Sequence, residues 1–285
     1  MTVRAVTAVG YDLKLALPLA GFFFVFFITP LFLLVFVSLH ADPDMRTFGL
    51  HQFGRFLYDP FSLKVLGRTL AIGAATTALC LVLGFPLAYL FTRSPSWLRS
   101  VLILIVLLPL LTSVVVRTFA WIVILGRLGI INSVLLTLGL IDTPLQLLYT
   151  EGGLVVALAQ VNMPLMVLPL ITALSRIDPN LADASASLGA GAWRTFLRVT
   201  VPLTLAGIVA GCLLTYCMSV TAFITQVLVG GGQMLLMPAY IYQQTAAVQD
   251  WPFAAAISVI FLVAVLAVVT LFNLLGRLAQ SVEHG

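Results

Sequence analysis

Residues 183–202 read DASASLGAGAWRTFLRVTVP, a short polar piece set between two long apolar stretches. Upstream, residues 152–175 carry no charge, and downstream neither do residues 199–249. The piece itself has helix formers on both sides of Gly189. Residues 181–188 are predicted to form a first helix, with Asp183 near its N-terminus, where negative charge is favoured. Asp178, Pro179 and Asn180 read as the turn before it, because a proline disfavours helix at the preceding residue. Gly189 ends that helix, since a residue without Cβ reaches the left-handed cap at no steric cost. A second, amphipathic helix follows over residues 192–199, with Trp193, Phe196 and Leu197 on one side and Arg194 and Arg198 on another. The product is a compact knob of two helices and an elbow. Ala184, Ser185 and Ala186 are small enough to let another protein surface approach closely.

The rest of the chain says where such a knob sits. Of the 285 residues, 61% are apolar and 8% charged, against about 25% charged in a soluble domain. A bilayer accepts only structures that satisfy their own backbone groups, and long unalternating apolar runs select helices over a barrel. Six spans are expected, at residues 15–39, 69–92, 100–125, 152–175, 203–227 and 253–276, each near the roughly 20 residues that cross a bilayer. The polar loop of residues 178–202 joins the fourth span to the fifth. The whole is read as one transmembrane domain over residues 1–285. The first apolar stretch is too long for a cleaved leader, whose apolar core runs about 7–15 residues.

Lys and Arg in short loops favour the cytoplasmic side. Arg4, Lys14, Arg93, Arg99, Arg176, Arg194, Arg198 and Arg277 fall on the side that holds both termini and the polar loop. Arg46, Arg55, Lys64, Arg68 and Arg127 fall on the other. Both termini and the polar loop are therefore expected in the cytoplasm, with the chain crossing its membrane several times.

The net charge of +4 is no nucleic-acid footprint, because the basic residues are scattered singly. Cys80, Cys212 and Cys217 lie in apolar segments without metal-ligand spacing, and His40, His51 and His284 form no cluster. The phosphate-binding pattern G-x-x-x-x-G-K-[ST] is missing, as is any nucleophile–base pair. The chain is read as no enzyme, with no metal and no cofactor of its own.

The spacing Asp183-Ala184-Ser185, Gly189, Val199, Pro202 resembles the Glu-Ala-Ala…Gly…Ile-x-Leu-Pro loop of the membrane subunits of binding-protein-dependent ABC importers. Residues 183–211, 116–140 and 241–256 resemble the spermidine/putrescine-type permeases of that family, and the likeness spans residues 65–277. Two departures are visible: Asp183 is one methylene shorter than the usual Glu, and Ser185 replaces the second Ala. The resemblance implies an all-α membrane protein with six transmembrane helices, the type I ABC importer permease fold and a cytoplasmic coupling-helix loop. It implies a docking role for Asp183, Ala184, Ser185, Gly189, Val199 and Pro202. It also implies partners: two ATP-binding subunits that hold ATP and Mg, a second related permease in a heterodimer, and a periplasmic or extracellular binding protein. The solute would be a small polar one, with a polyamine-like amine first among candidates.

Polar residues inside spans are candidates for a translocation path. Thr215, Ser219 and Gln226 recur at helical spacing on the fifth span, with Thr221 and Thr225 beside that face. Gln160 and Asn162 lie in the fourth. Their alternative role is hydrogen bonding between helices, worth about 0.6 kcal/mol each. Gly207 and Gly211 form a small-xxx-small pair. Arg117, deep in an apolar run, either snorkels to the outer surface or faces a wet cavity. No span carries a carboxylate, and Asp142, Glu151 and Asp250 lie toward the outer mouth. The rival reading is a secondary transporter driven by an ion gradient, which favours intramembrane carboxylates and inverted repeats.

Overall fold

The computed structural model of the protein describes residues 13–42, 45–178, 180–232 and 234–281. Arg4, Pro179 and His284 lie outside them. Among the described residues the fold is helical, with one isolated bridge, His40 to Phe48, instead of a sheet. Among the described residues five helices are long and apolar enough to cross a membrane, or six if one bent pair counts as a single span.

The first span is α1 (Leu13–Phe23), a π-helical turn (Phe24–Ile28) and α2 (Thr29–Ser38). Pro30 has no N–H to give to the preceding turn, and the chain absorbs the lost bond by widening there. Helix α2 packs on the last helix of the chain, while the side chains of residues 17–28 are exposed, as lipid-facing or partner-facing apolar residues are.

A helix with no counterpart in the expectations, α3 (His51–Tyr58), precedes α4 (Pro60–Arg93). Helix α4 has 34 residues and begins well before the expected residue 69. Asp59 starts it, accepting from the amides of Phe61 (3.2 Å) and Ser62 (3.0 Å), with Pro60 preset for the first turn. Lys64 and Arg68 ended the apolar window, but charge ends membrane immersion and not the helix.

The expected third span at residues 100–125 is two helices, α5 (Ser96–Leu111) and α6 (Val114–Leu125). Thr112 and Ser113 are non-helical, with ψ near 147° and 134°. The Thr112 hydroxyl donates to Pro109 O (3.2 Å) and competes with the ladder. Helix α6 continues after a short break into α7 (Ile130–Thr137), and the pair crosses as one length of 24 residues. Hydropathy alone does not register the Thr112–Ser113 break, because the residues flanking it on both sides are apolar.

Helix α8 (Glu151–Leu174) matches expectation and holds Pro164 and Pro169. The polar loop then forms α9 (Asn180–Ser187) and α10 (Ala192–Thr195), a π-helical turn (Phe196–Thr200) and α11 (Val201–Leu203). A 67° bend leads into α12 (Leu205–Thr221). The expected fifth span is interrupted at Ala222, after which α13 (Phe223–Gly230) begins. Helix α14 (Met237–Tyr242), a π-helical segment (Gln243–Val248) and α15 (Trp251–Ser281) complete the chain.

Helices α4, α8 and α12 pack together at the centre. Small residues set their spacing: a Cβ on Gly211 would meet Met166 Sδ at 2.8 Å, and one on Gly207 would meet Pro169 O at 2.8 Å. The expected small-xxx-small pair therefore brings α12 against α8, as in membrane helix packing generally. Cys80, Met166, Val167 and Leu170 are buried where the three meet.

Candidate functional site

The knob stands where the sequence puts it. Helix α9 ends at Ser187, and Gly189 takes φ of +78° with open space around its missing Cβ. Its amide bonds back to Ala186 O (2.9 Å), closing a left-handed cap. Across the elbow the hydroxyls of Ser185 and Thr195 share a hydrogen bond of 2.9 Å, locking α9 onto α10. Asp183, Ala184 and Gly189 are exposed, Ser185 and Val199 half-buried. Leu188 is 89% exposed and Trp193 71%. Large apolar side chains are thus exposed on the same knob as an acid and an alanine.

The knob is anchored by aromatic packing. Trp193 stacks on Phe196 with centroids 5.5 Å apart, and Phe196 meets Phe85 of α4 edge-on at 5.4 Å. Tyr89 of α4 also faces Phe196 (6.3 Å), and its other neighbour is Arg93, 4.2 Å from the ring. Pro202 lies in α11, just before the 67° bend. A displacement of the knob therefore pushes on α4 through rings and on α12 through a bend. Beside it an open cleft of about 580 Å³ is lined by Tyr89, Arg93, Arg99, Asp178, Asp183 and Thr200 among others.

The candidate path residues come together, but inside the chain. Thr215, Ser219, Gln226 and Asn162 are buried, and Gln160 is half-buried. Asn162 Nδ2 donates to Ser219 Oγ (3.0 Å), and Ser219 Oγ donates to Thr215 O (2.7 Å). The break at Ala222 frees Ser219 O from the helical ladder, and Gln226 Nε2 reaches back to it (3.3 Å). Ser219 thus joins α8, α12 and α13. Thr118 of α6 meets Thr225 of α13 (3.3 Å), and Trp121 Nε1 donates to Gln160 Oε1 (3.2 Å). Thr76 Oγ, Thr215 Oγ and Gln226 Oε1 are buried without a partner among the described residues.

Arg117 is partly buried and donates to Pro109 O across the α5–α6 break. Helix α5 ends at Leu111, so the Pro109 carbonyl lies in its last turn without a helical successor, and the guanidinium serves it. At the opposite end of the bundle from the knob, Arg55 of α3 pairs with Asp250 (2.8 Å) and lies 3.9 Å over the ring of Phe253. Arg68 pairs with Glu151 (2.7 Å). Two of the expected outer carboxylates are thus taken by the chain's own arginines. The sequence places Arg55 on this side but did not give the helix that carries it; the signal was there in a His-Gln-Phe-Gly-Arg-Phe stretch with a strongly one-sided apolar face. Asp59 is held below the usual carboxylate range, chiefly by the Ser62 hydroxyl, with the amides of Ser62 and Phe61 and the charge of Arg55 adding and burial opposing. Among the described residues no group of His, Cys, Asp or Glu could hold a metal.

Comparison with known proteins bears on the same features. Residues 80–281 match the family model described as "Binding-protein-dependent transport system inner membrane component". The chain is 36% identical over 212 residues to the spermidine/putrescine transport system permease protein PotB of Salmonella typhimurium (strain SL1344), covering 74% of each chain. It is 35% identical to PotB of Escherichia coli (strain K12), covering 74% of this chain and 77% of that one. The inner membrane ABC transporter permease protein YdcU of the same strain is 31% identical, with 72% and 69% covered. In fold it superimposes on a bacterial ABC transporter for the acidic polysaccharide alginate with a TM-score of 0.75 at 19% identity, covering 93% of this chain and 94% of that one. The same fold appears in that transporter's complex with an alginate-pentasaccharide-bound periplasmic protein, with TM-score 0.75 and 19% identity. The ion-gradient reading is not favoured. This chain belongs to the family of binding-protein-dependent transport system inner membrane components, the multi-pass inner-membrane permeases of ABC importers.

Proposed function

We propose that this permease forms half of the path of an ATP-driven importer for a small polyamine-like amine. The substrate class rests on the PotB relatives, whose names give spermidine and putrescine as their solutes. In this reading two ATP-binding subunits, which carry ATP and Mg, seat on the knob. Asp183, Ala184, Ser185 and Gly189 meet them, and Val199 and Pro202 pass the movement into α12. A second, related permease completes the path, and a soluble binding protein delivers solute at the Arg55–Asp250 end. Both termini lie in the cytoplasm with the knob, and the chain catalyses no reaction itself.

The observation that carries the reading is the knob: two short helices locked across Gly189, exposed on one side and wedged by Phe196 against α4 on the other. Alternating access needs two discrete packings, each favoured by a different ligand state. The residues expected along the path fit the hinge of such a change better than its lining. Asn162, Ser219 and Gln226 hold α8, α12 and α13 together, Gln160 ties α8 to Trp121 of α6, and Thr215 and Gln226 keep unspent hydrogen-bonding capacity that a second packing would use.

The test is purification from native membranes in mild detergent with mass spectrometry of what accompanies the chain. An ATPase and a second permease are expected, and the binding protein encoded beside them should take an alkylamine. Recovery of the chain alone contradicts the assembly. A binding protein that ignores amines contradicts the substrate class only.

A further inference from the structure

The interruption of α12 and α13 at Ala222 has a side that faces outward. Thr221 is exposed, Ala222 and Phe223 are half-buried, and Met218 is exposed one turn below. Ala222 has φ of −68° and ψ of 99°, so the last carbonyls of α12 lose their successors in the ladder. Ser219 O is taken up by Gln226, on the buried side. On the exposed side the Thr221 hydroxyl spends its proton on Cys217 O (2.7 Å). Its lone pairs are left as acceptors. The C-terminal end of a helix carries a partial negative charge of about half an electron. Next to this end Phe223 pairs with Tyr242, centroids 5.2 Å apart and rings inclined at 49°. Tyr242 is 59% exposed and ends α14, which packs against both α12 and α13.

At this point the Thr221 hydroxyl has only acceptor capacity left to offer, the Tyr242 hydroxyl can accept as well as donate, and Phe223 and Tyr242 offer two π faces. No carboxylate is present. Such a surface suits a ligand with only donors and a positive charge. We infer that the α12–α13 break, with Thr221, Phe223 and Tyr242, is a transit seat for one ammonium group of the solute. It rests on the amine reading above and deepens it. The lack of a carboxylate belongs to the design: a group on a path must be held firmly enough to enter and loosely enough to leave. It also gives a role to the 241–256 stretch, which the docking loop leaves unexplained.

The experiment is equilibrium binding of radiolabelled putrescine to the assembled complex in nanodiscs, with the binding protein absent. Unlabelled tetramethylammonium and 1,4-butanediol serve as charged and uncharged competitors. Saturable binding displaced by tetramethylammonium and not by butanediol is expected. Tyr242→Leu and Thr221→Val should each weaken it by about two- to fivefold, the worth of one exposed cation–π or hydrogen-bond contact. Tyr242→Phe, which keeps a π face, should leave it within about twofold. Both positions are exposed, so the variants should assemble, and size-exclusion of the complex checks this. No putrescine binding in the wild type, or binding indifferent to Tyr242 and Thr221, overturns the seat. Amine uptake with binding indifferent to these residues overturns the seat while the amine reading stands. Binding as proposed in a system whose binding protein takes no amine leaves the seat and removes the reading.

Discussion

The hydroxyls of Ser185 and Thr195 lie 2.9 Å apart and close the knob across Gly189. They are ten residues apart in the chain and share a side-chain hydrogen bond that joins α9 to α10. A lever needs stiffness at its elbow, and this bond supplies it. Thr195→Val removes the bond at constant shape, for about 1 kcal/mol. Uptake per ATP hydrolysed in proteoliposomes should fall severalfold with membrane insertion unchanged, while Thr195→Ser should restore it. An unchanged ratio in Thr195→Val would remove the elbow from the mechanism.

Gly189 has φ of +78° and nothing within 4 Å of where a Cβ would be. The obstacle to substitution is thus backbone conformation and not space. Val, branched at Cβ, is a poor occupant of this region, whereas Asn is tolerated there. Gly189→Val should leave the chain in the membrane and uncouple substrate-stimulated ATPase from uptake; Gly189→Asn should keep most coupling. Asp183→Arg should uncouple by charge reversal. Equal activity of all three variants would contradict a docking role for the loop.

Asn162 and Ser219 tie α8 to α12 in the buried interior. Asn162→Leu leaves the Ser219 hydroxyl without its donor and forces a branched side chain into the seam. A loss of about 0.6–1.7 kcal/mol is expected for the bond alone, read as a lower thermal midpoint in detergent. If instead Asn162 touched solute, KM would move with stability unchanged.

Gly211 lies against Met166 of α8. Gly211→Leu should separate α12 from α8 and cost about 1–3 kcal/mol by overpacking, with Gly67→Leu, where a Cβ meets nothing within 4 Å, as the silent control. Similar midpoints for the two would show that the helices do not meet there as described.

Asp59 caps α4 with a carboxyl held below its ordinary value near 3.8. A depressed pKa contributes stability that is complete above the unfolded value and is lost as pH falls through the folded one. The thermal midpoint should therefore hold from pH 7 to about pH 5 and decline below about pH 4, and Asp59→Asn, which keeps a capping oxygen, should flatten that decline. An unaltered acid limb in Asp59→Asn would remove Asp59 from it.

Much of this architecture is legible in apolar run length, because a bilayer punishes any other arrangement. The knob is legible too: Gly189 sits between helix formers, and Pro202 marks the start of the next helix. Three features were not. Helix α3 is amphipathic and lies outside the apolar windows. The Thr112–Ser113 break hides among apolar neighbours, and Arg117 reaches back across it to Pro109. The polar face of α12 was visible as a periodicity, but periodicity does not say which neighbour a face meets. Here it meets α8 and α4, and the exposed side of the same span is marked by Thr221 instead.

The central claim is that the knob is where ATP hydrolysis enters the membrane. The most direct measurement places a photo-crosslinking amino acid at position 193, on the exposed ring face of the knob, in intact cells. The account predicts an ATP-binding subunit as the major adduct, with a yield that changes on ATP trapping. Adducts to lipid alone, with no ATP-binding subunit in either state, would contradict it.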